Sequence, residues 1–170
     1  DYEENLIPCL KTEKPKKRYQ GKWDTWSTYR SAFWRTVRTL VAELKINQEK
    51  EGIAWNNINR MDYKGHGPNN KLKRQMIEKF PLLRQEIKIC KPEIIVFFTN
   101  QRYDKLLKQT FEKSKTKITF QKIKGFPLKK LAKITIIGFK GKVYRTYHPA
   151  YKRKKEVEKI ISTIVKDFKN

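Results

Sequence analysis

One of the two histidines of the chain, His148, stands directly before a proline and directly after the β-branched and aromatic run Val143–Tyr147. An imidazole at the end of a strand can donate a hydrogen bond to an oxygen that gains negative charge during a reaction. Asn56 and Asn57 end another apolar run, and an asparagine offers a carbonyl acceptor and an amide donor to a nucleobase edge. These side chains predict base recognition and chemistry. The alternatives are an asparagine that only forms a turn and a structural histidine.

Cationic residues are abundant throughout the sequence. The chain has 41 Lys and Arg against 17 Asp and Glu, a net charge of +24. Such an imbalance indicates a polyanionic partner, nucleic acid ahead of an anionic membrane surface. Lysine-rich codon usage is the alternative explanation, but it usually raises Glu together with Lys. We therefore predict that the protein binds DNA, single- or double-stranded, and does not bind a membrane. It is expected to be a monomer, and a protein partner is possible on the sequence alone.

Helical spacing of apolar residues predicts the elements at the two ends of the main domain. Phe33, Val37, Leu40, Val41 and Leu44 mark one face of a helix that Ser31 caps. A second such face, in the last 15 residues, predicts a C-terminal helix: Val157, Ile160, Ile161, Ile164, Val165 and Phe168. Further helices are predicted at about 71–90, with an irregularity near Pro81, and at about 103–113.

Short apolar runs between these helices predict strands. They lie at residues 52–58, 93–98, 118–120, 134–139 and 143–147, and the second is apolar on both faces, as is typical of a covered parallel strand. Alternating helices and strands predict a three-layer α/β/α fold with a short, mostly parallel central sheet. Residues 1–30 are predicted to be a basic arm or a degenerate first strand, and 31–170 a single α/β domain. Ligands of such sheets bind beyond the carboxyl ends of the strands, where Asn56–Asn57, Thr99–Asn100 and His148 would lie.

The order of three motifs resembles the uracil-DNA glycosylase superfamily. They are Gly-Ile-Ala-Trp-Asn-Asn at 52–57, Lys-Pro-Glu-Ile-Ile-Val-Phe-Phe-Thr-Asn at 91–100 and Tyr-His-Pro-Ala at 147–150, within about residues 30–168. The resemblance implies a DNA glycosylase of base excision repair, which flips a base out of the duplex and hydrolyses its N-glycosidic bond. It implies that His148 steadies charge on the carbonyl oxygen of the base. Asn57, or alternatively Asn56, would choose the base.

Further contacts are expected from the resemblance and from the basic runs of the chain. Trp55 is expected to stack on the base, and Tyr151 to wedge or stack, with simple packing as the alternative for Tyr151. Basic and loop residues at several places are expected to hold DNA: Lys16, Lys17, Arg18, Lys64, His66, Lys71, Arg74, Arg145, Lys152, Arg153, Lys154 and Lys155.

One family motif, the Gly-Gln-(Asp/Glu) loop that positions the attacking water, does not occur in the chain. Glu13 is the candidate for an eroded version. Otherwise the motif precedes Asp1 in the encoded protein, has been lost, or is replaced by an acid from elsewhere. A non-catalytic DNA-binding scaffold of the same fold is therefore the second hypothesis, and an unrelated basic RNA- or DNA-binding domain is the third.

No cofactor and no metal are expected, because Cys9 and Cys90 lack the spacing of metal ligands and the hydrolysis needs neither. No apolar run reaches the roughly 18 residues of a membrane span, and no export signal is visible. The predicted location is the cytoplasm, or the nucleus or wherever the DNA resides, and not outside the cell.

Overall fold

The computed structural model describes residues 31–46, 52–58, 68–79, 82–112 and 116–170, without the side chain of Tyr151. Two compact units are present, one formed by Asp1–Trp55 and His148–Asn170 and the other by Asn56–Tyr147. Among the described residues the α-helices and strands in chain order are α1 (Ala32–Leu44), α2 (Asn70–Lys79), α3 (Leu82–Cys90), β1 (Ile94–Phe98), α4 (Asp104–Glu112), β2 (Ile118–Lys122), β3 (Leu131–Ile136), β4 (Lys142–Thr146) and α5 (Lys154–Lys169). In the described part of the chain, no helix is long and apolar enough to span a membrane.

The described part of the first unit contains α1 and α5, packed on each other, and a 3-10 turn at Pro149–Tyr151 that contacts α1. The predicted apolar faces of both helices are confirmed, and each is buried at its centre: Val37, Leu40 and Val41 on α1, and Ile160, Ile161, Ile164 and Val165 on α5. Burying such a side chain fully contributes about 1.5–3 kcal/mol relative to leaving it in water. Because this pairing buries one face of α1, it determines which side chains of α1 lie outside the contact with α5.

Both ends of α1 are closed by hydrogen bonds. The Ser31 Oγ accepts a bond from the Trp34 backbone N–H at 3.2 Å, which confirms the predicted cap. At the other end Lys45 adopts the left-handed conformation, and its N–H donates to the Ala42 carbonyl at 3.1 Å. Because the first N–H groups of a helix lack internal partners, the Ser31 cap stabilises the turn that carries Phe33 and Trp34.

The sheet of the second unit corrects the prediction of a mostly parallel sheet. Its strand order is β1-β4-β3-β2, and only β1 and β4 are parallel. The connections explain the difference, since residues 123–130 join β2 to β3 and residues 137–141 join β3 to β4. Links this short return the chain antiparallel, whereas a parallel partner needs a crossover of a dozen or more residues. The fold is mixed α/β with an open, mostly antiparallel four-stranded sheet.

One face of this sheet forms the core of the second unit. The buried cluster contains Phe97, Leu107, Phe111, Ile118, Ile134, Ile136 and Val143, and Leu83 and Ile87 of α3 pack against it. Helices α3 and α4 therefore cover this face. The predicted irregularity near Pro81 corresponds to the separation of α2 from α3, although residues 80 and 81 themselves are outside the described part.

Gly141 marks a close approach in the turn before β4. A Cβ atom at this position would lie 2.5 Å from the Pro92 carbonyl oxygen and 2.8 Å from that of Glu93. Glu93 also accepts a hydrogen bond from the Lys142 N–H at 2.8 Å. Only glycine lets the turn approach the start of β1 this closely, which aligns β4 with β1.

The strand predicted at 52–58 is a second correction. These residues form no strand, and five of the seven residues are exposed. Instead of joining a ladder, the Asn56 Oδ1 accepts a hydrogen bond from the Asn57 backbone N–H at 2.9 Å. Such a bond from an asparagine side chain to the following backbone favours a turn over a strand. Asn56 and Asn57 therefore do not stand at a strand end.

Candidate functional site

The His-Pro-Ala turn fixes the imidazole of His148 by a hydrogen bond to its own backbone. The His148 Nδ1 accepts from the Ala150 N–H at 3.3 Å, so the side chain caps the 3-10 turn. Since Nδ1 is an acceptor there, the neutral ring carries its hydrogen on Nε2. Burial lowers the pKa of this imidazole below its ordinary value of 6.5. His148 is therefore an uncharged donor through Nε2 at neutral pH.

One aromatic ring stacks on this imidazole within the first unit, and two more pack against that ring. Phe33 stacks on His148, with ring centroids 5.7 Å apart and planes 14° from parallel. Trp34 and Trp55 extend the group, each in contact with Phe33 and with a centroid separation of 5.3 Å from one another. We refer to Phe33, Trp34, Trp55 and His148 as the aromatic cluster.

The aromatic cluster is reached from solvent through Trp55, whose side chain is 40% exposed. Phe33, Trp34 and His148 are half-buried. An exposed indole next to stacked rings offers a face on which a planar base can stack, and such stacking contributes about 1–3 kcal/mol per base. The cluster therefore combines stacking surfaces with one oriented hydrogen-bond donor.

The two asparagines differ in how their side chains are engaged. The Asn56 Nδ2 donates to the Glu86 Oε1 at 2.8 Å, and its oxygen accepts from Asn57, so both ends of its amide are occupied. Among the described residues no hydrogen bond involves the exposed side chain of Asn57. Of the two, Asn57 remains the candidate for reading a base. It belongs to the second unit and His148 to the first, so their convergence stays a prediction.

Arg145 is a correction to the predicted DNA-binding residues. Its side chain is 0% exposed and forms a two-pronged ion pair with Asp104, Nε to Oδ1 at 2.9 Å and Nη2 to Oδ2 at 3.0 Å. The Nη1 group donates to the Lys129 carbonyl at 3.0 Å. Burial raises the pKa of the Asp104 carboxyl, and the charge and hydrogen bonds of Arg145 oppose that rise. Arg145 therefore stabilises the sheet and cannot meet DNA.

Other predicted cations lie on the surface. Arg153, Lys154 and Lys155 are exposed at the start of α5, and Lys152 before them is half-buried. Lys71 and Arg74 are exposed on α2 in the second unit. Seven predicted contacts fall outside the described residues, including the weak carboxylate candidate and the side chain of Tyr151: Glu13, Lys16, Lys17, Arg18, Lys64, His66 and Tyr151.

A cleft of about 610 Å³ opens in the first unit beside the His-Pro-Ala turn. Helix α1 contributes Arg35 and Arg38 to its lining, and the chain from the turn into α5 contributes Lys152, Lys154 and Glu158. The volume is in the range of ligand sites, roughly 300–1,000 Å³. No group of three or more His, Cys, Asp and Glu side chains that could hold a metal ion occurs in the ranges that the structure describes.

Sequence reasoning missed the contribution of α1 to both features. Phe33 was predicted only as part of the apolar face, and Trp34, Arg35 and Arg38 were not singled out. A usable signal was present, because Arg35 and Arg38 are three residues apart and neighbours on one side of a helix. That spacing places two cations on one face of the helix whose other face is buried.

No protein-family model, curated protein or solved structure matches this chain.

Proposed function

We propose that this protein binds DNA and hydrolyses the N-glycosidic bond of an extruded base, as a member of the uracil-DNA glycosylase fold. The observation that carries the proposal is the aromatic cluster, in which the neutral His148 ring is held through Nδ1, carries its hydrogen on Nε2 and stacks on Phe33. The net charge of +24 supports a polyanionic substrate. The sequence resemblance supplies the reaction type.

In the proposed reaction the base stacks on the aromatic cluster and the Nε2 of His148 donates to a carbonyl oxygen of the base. As the bond between the sugar C1′ and the base nitrogen breaks, its electron pair moves to the base. A donor fixed in advance beside apolar rings stabilises that developing charge more than water does. Water adds its oxygen to C1′, and the proton that it releases is taken up by the base anion, which leaves an abasic sugar and the free base. Asn57 is kept as the base-selecting residue on the sequence resemblance.

A neutral imidazole suits this role. A histidine protonated in the free protein would bind phosphate as readily as a base and would lose the acceptor that holds the turn. The lowered pKa of His148 keeps the ring uncharged at neutral pH, so the Nδ1 bond to Ala150 persists. The stacked Phe33 contributes to this burial, because it covers one face of the ring.

The test measures abasic sites formed in a uracil-containing oligonucleotide, together with substrates that carry other deaminated or alkylated bases. His148→Ala is expected to reduce base release by about 10²–10³-fold, as removal of one such donor does. Its affinity for the same DNA is expected to change by less than about threefold. Asn57→Ala should reduce release and alter the preference among bases.

The matched control is Lys166→Gln, an exposed position on α5 of the same unit. It should release base at the rate of the unaltered protein. Base release that persists in His148→Ala would reject the role assigned to that imidazole.

A non-catalytic DNA-binding scaffold of the same fold is the second candidate. It is favoured by the lack of a Gly-Gln-(Asp/Glu) motif in the sequence and by the engagement of Asn56 with Glu86. Salt-dependent DNA binding without release of any tested base would select this candidate.

A further inference from the structure

The cleft in the first unit is lined by cations from two separate segments. Arg35 and Arg38 come from α1, and Lys152 and Lys154 come from the chain that follows the His-Pro-Ala turn. Among the described lining residues Glu158 is the one acid, and its Oε1 lies 3.7 Å from the Lys154 Nζ. The described part of the lining therefore has more cations than carboxylates, which favours an anionic ligand.

The same turn separates the cleft from the aromatic cluster. His148 holds its ring on Phe33, while the next two residues, Pro149 and Ala150, line the cleft. Helix α1 is divided in the same way, because Phe33 and Trp34 belong to the cluster and Arg35 to the cleft. A ligand with a planar group and an adjoining chain of anions could therefore occupy both at once.

We infer that the cleft holds the sugar–phosphate backbone of DNA next to the nucleotide whose base occupies the aromatic cluster. Arginine forms two-pronged hydrogen bonds with phosphate oxygens, and two arginines of α1 lie on the same wall. Apolar parts of the lining, Pro149 and Val157 among them, suit the deoxyribose between two phosphates. This inference rests on the proposed function and adds the residues that position the strand.

The first experiment removes the two α1 cations in Arg35→Gln/Arg38→Gln. Binding to a labelled oligonucleotide is followed by fluorescence anisotropy over a range of salt concentrations. Affinity falls as salt rises, and loss of two phosphate contacts should make this fall less steep. The magnitude of the slope of log affinity against log salt should decrease by about 1.4 on single strands and about 1.8 on duplex DNA. Circular dichroism verifies that the helices remain.

The matched control is Lys159→Gln/Lys166→Gln, which removes the same charge from exposed positions of α5 that do not line the cleft. Its slope should stay within about 0.3 of that of the unaltered protein, because non-contacting charges release few counterions. Equal slope losses in the two double variants would overturn the inference, since net charge alone would then explain binding.

A second experiment increases affinity and so cannot be mimicked by misfolding. Glu158→Gln removes the acid of the cleft and releases Lys154 from its partner. We expect DNA to bind about two- to fivefold more tightly, the size of effect typical of one exposed ion pair. Glu112→Gln, an exposed acid in the second unit, is the control and should leave affinity unchanged. No gain in Glu158→Gln, or an equal gain in both variants, would reject the cleft as a backbone site.

The two proposals fail in different ways. If Arg35→Gln/Arg38→Gln binds normally while His148→Ala loses base release, the cleft inference falls and the proposed function stands. If the double variant loses affinity and salt slope while the intact protein releases no base, the cleft inference stands and the glycosylase reaction falls.

Discussion

Arginines in the two units are used in opposite ways. In the second unit Arg145 is fully buried, paired with Asp104 and bonded to the Lys129 carbonyl. In the first unit Arg35 is exposed, and together with Arg38 it lines an open cleft. A buried guanidinium needs its hydrogen bonds satisfied inside the protein, whereas one that lines an open cleft is within reach of a ligand. Proximity to His148 in sequence is therefore a poor guide to function, because Arg145 is nearer than Arg35.

The contrast also separates what stabilises the protein from what is available for binding. In the second unit the buried guanidinium of Arg145 is compensated by the carboxylate of Asp104. The first unit carries charge around a cavity and places an uncharged imidazole beside it. Removing a charge should accordingly affect mainly folding in the second unit and mainly the proposed DNA binding in the first.

Asp104→Asn is expected to have the largest effect on stability. It leaves the buried Arg145 guanidinium without a counter-charge, and breaking a buried pair in this way costs about 3–5 kcal/mol. Because Asp104 is itself 19% exposed, we expect a value near the lower end, about 3 kcal/mol. Denaturant unfolding measures the loss.

The control for this substitution is the double variant Asp104→Asn/Arg145→Met, which removes the stranded charge. It should be more stable than Asp104→Asn alone, since no unpaired ion remains in the interior. DNA affinity per folded molecule should be unchanged in both variants. A fall in affinity without loss of stability would return Arg145 to the binding residues and remove the contrast between the units.

A smaller effect is expected from Ser31→Ala at the start of α1. Loss of the hydrogen bond from the Trp34 N–H should cost about 1 kcal/mol and loosen the turn that carries Phe33 and Arg35. Thermal unfolding and DNA affinity should fall together. Thr163→Ala on α5 is the matched control, because its hydroxyl bonds back to the Lys159 carbonyl within the helix and its loss should not destabilise. Equal destabilisation in both would show that the cap is unimportant.

The smallest effect concerns pH. Since the pKa of His148 is lowered on folding, the unfolded chain takes up the proton first as the pH falls through about 6.5. His148 therefore makes the folded state slightly less stable in acid, and base release should persist somewhat below pH 6.5 before it declines. A pH–rate profile, and unfolding at pH 7.5 and 5.5 with and without His148→Ala, measure both. A midpoint for release above about 6.5 would contradict the neutral-imidazole role.

Helices were predicted well because their signal is local. The spacing of Val37, Leu40 and Val41 identifies a buried face without any knowledge of the partner. The direction of the strands was not predicted correctly, although the short Phe139–Gly141 link between the last two strands was visible in the sequence. The apolar run of β1 indicated a parallel strand, and this holds for its pairing with β4 alone. Antiparallel neighbours can be buried on both faces as well.

For the candidate site, sequence reasoning found the residue with a local motif and misplaced those that depend on packing. The proline after His148 indicated a turn, and the structure forms one. The burial of Arg145 depends on Asp104, 41 residues away, and no local pattern announces such a pair. The contact of Phe33 with His148 was likewise not indicated by any local pattern, since an aromatic residue on the apolar face of a helix usually belongs to the hydrophobic core.

The bond between Ala150 and the Nδ1 of His148 has a consequence for selectivity. A ring that is committed at one nitrogen cannot turn over to offer a lone pair, so its outer edge presents hydrogen and never accepts it. Under the proposed function, a base that faces this edge with a carbonyl oxygen would accept the hydrogen bond, whereas one that faces it with an amino group would place two donors against each other. The turn would then select bases by polarity before the proposed reaction begins.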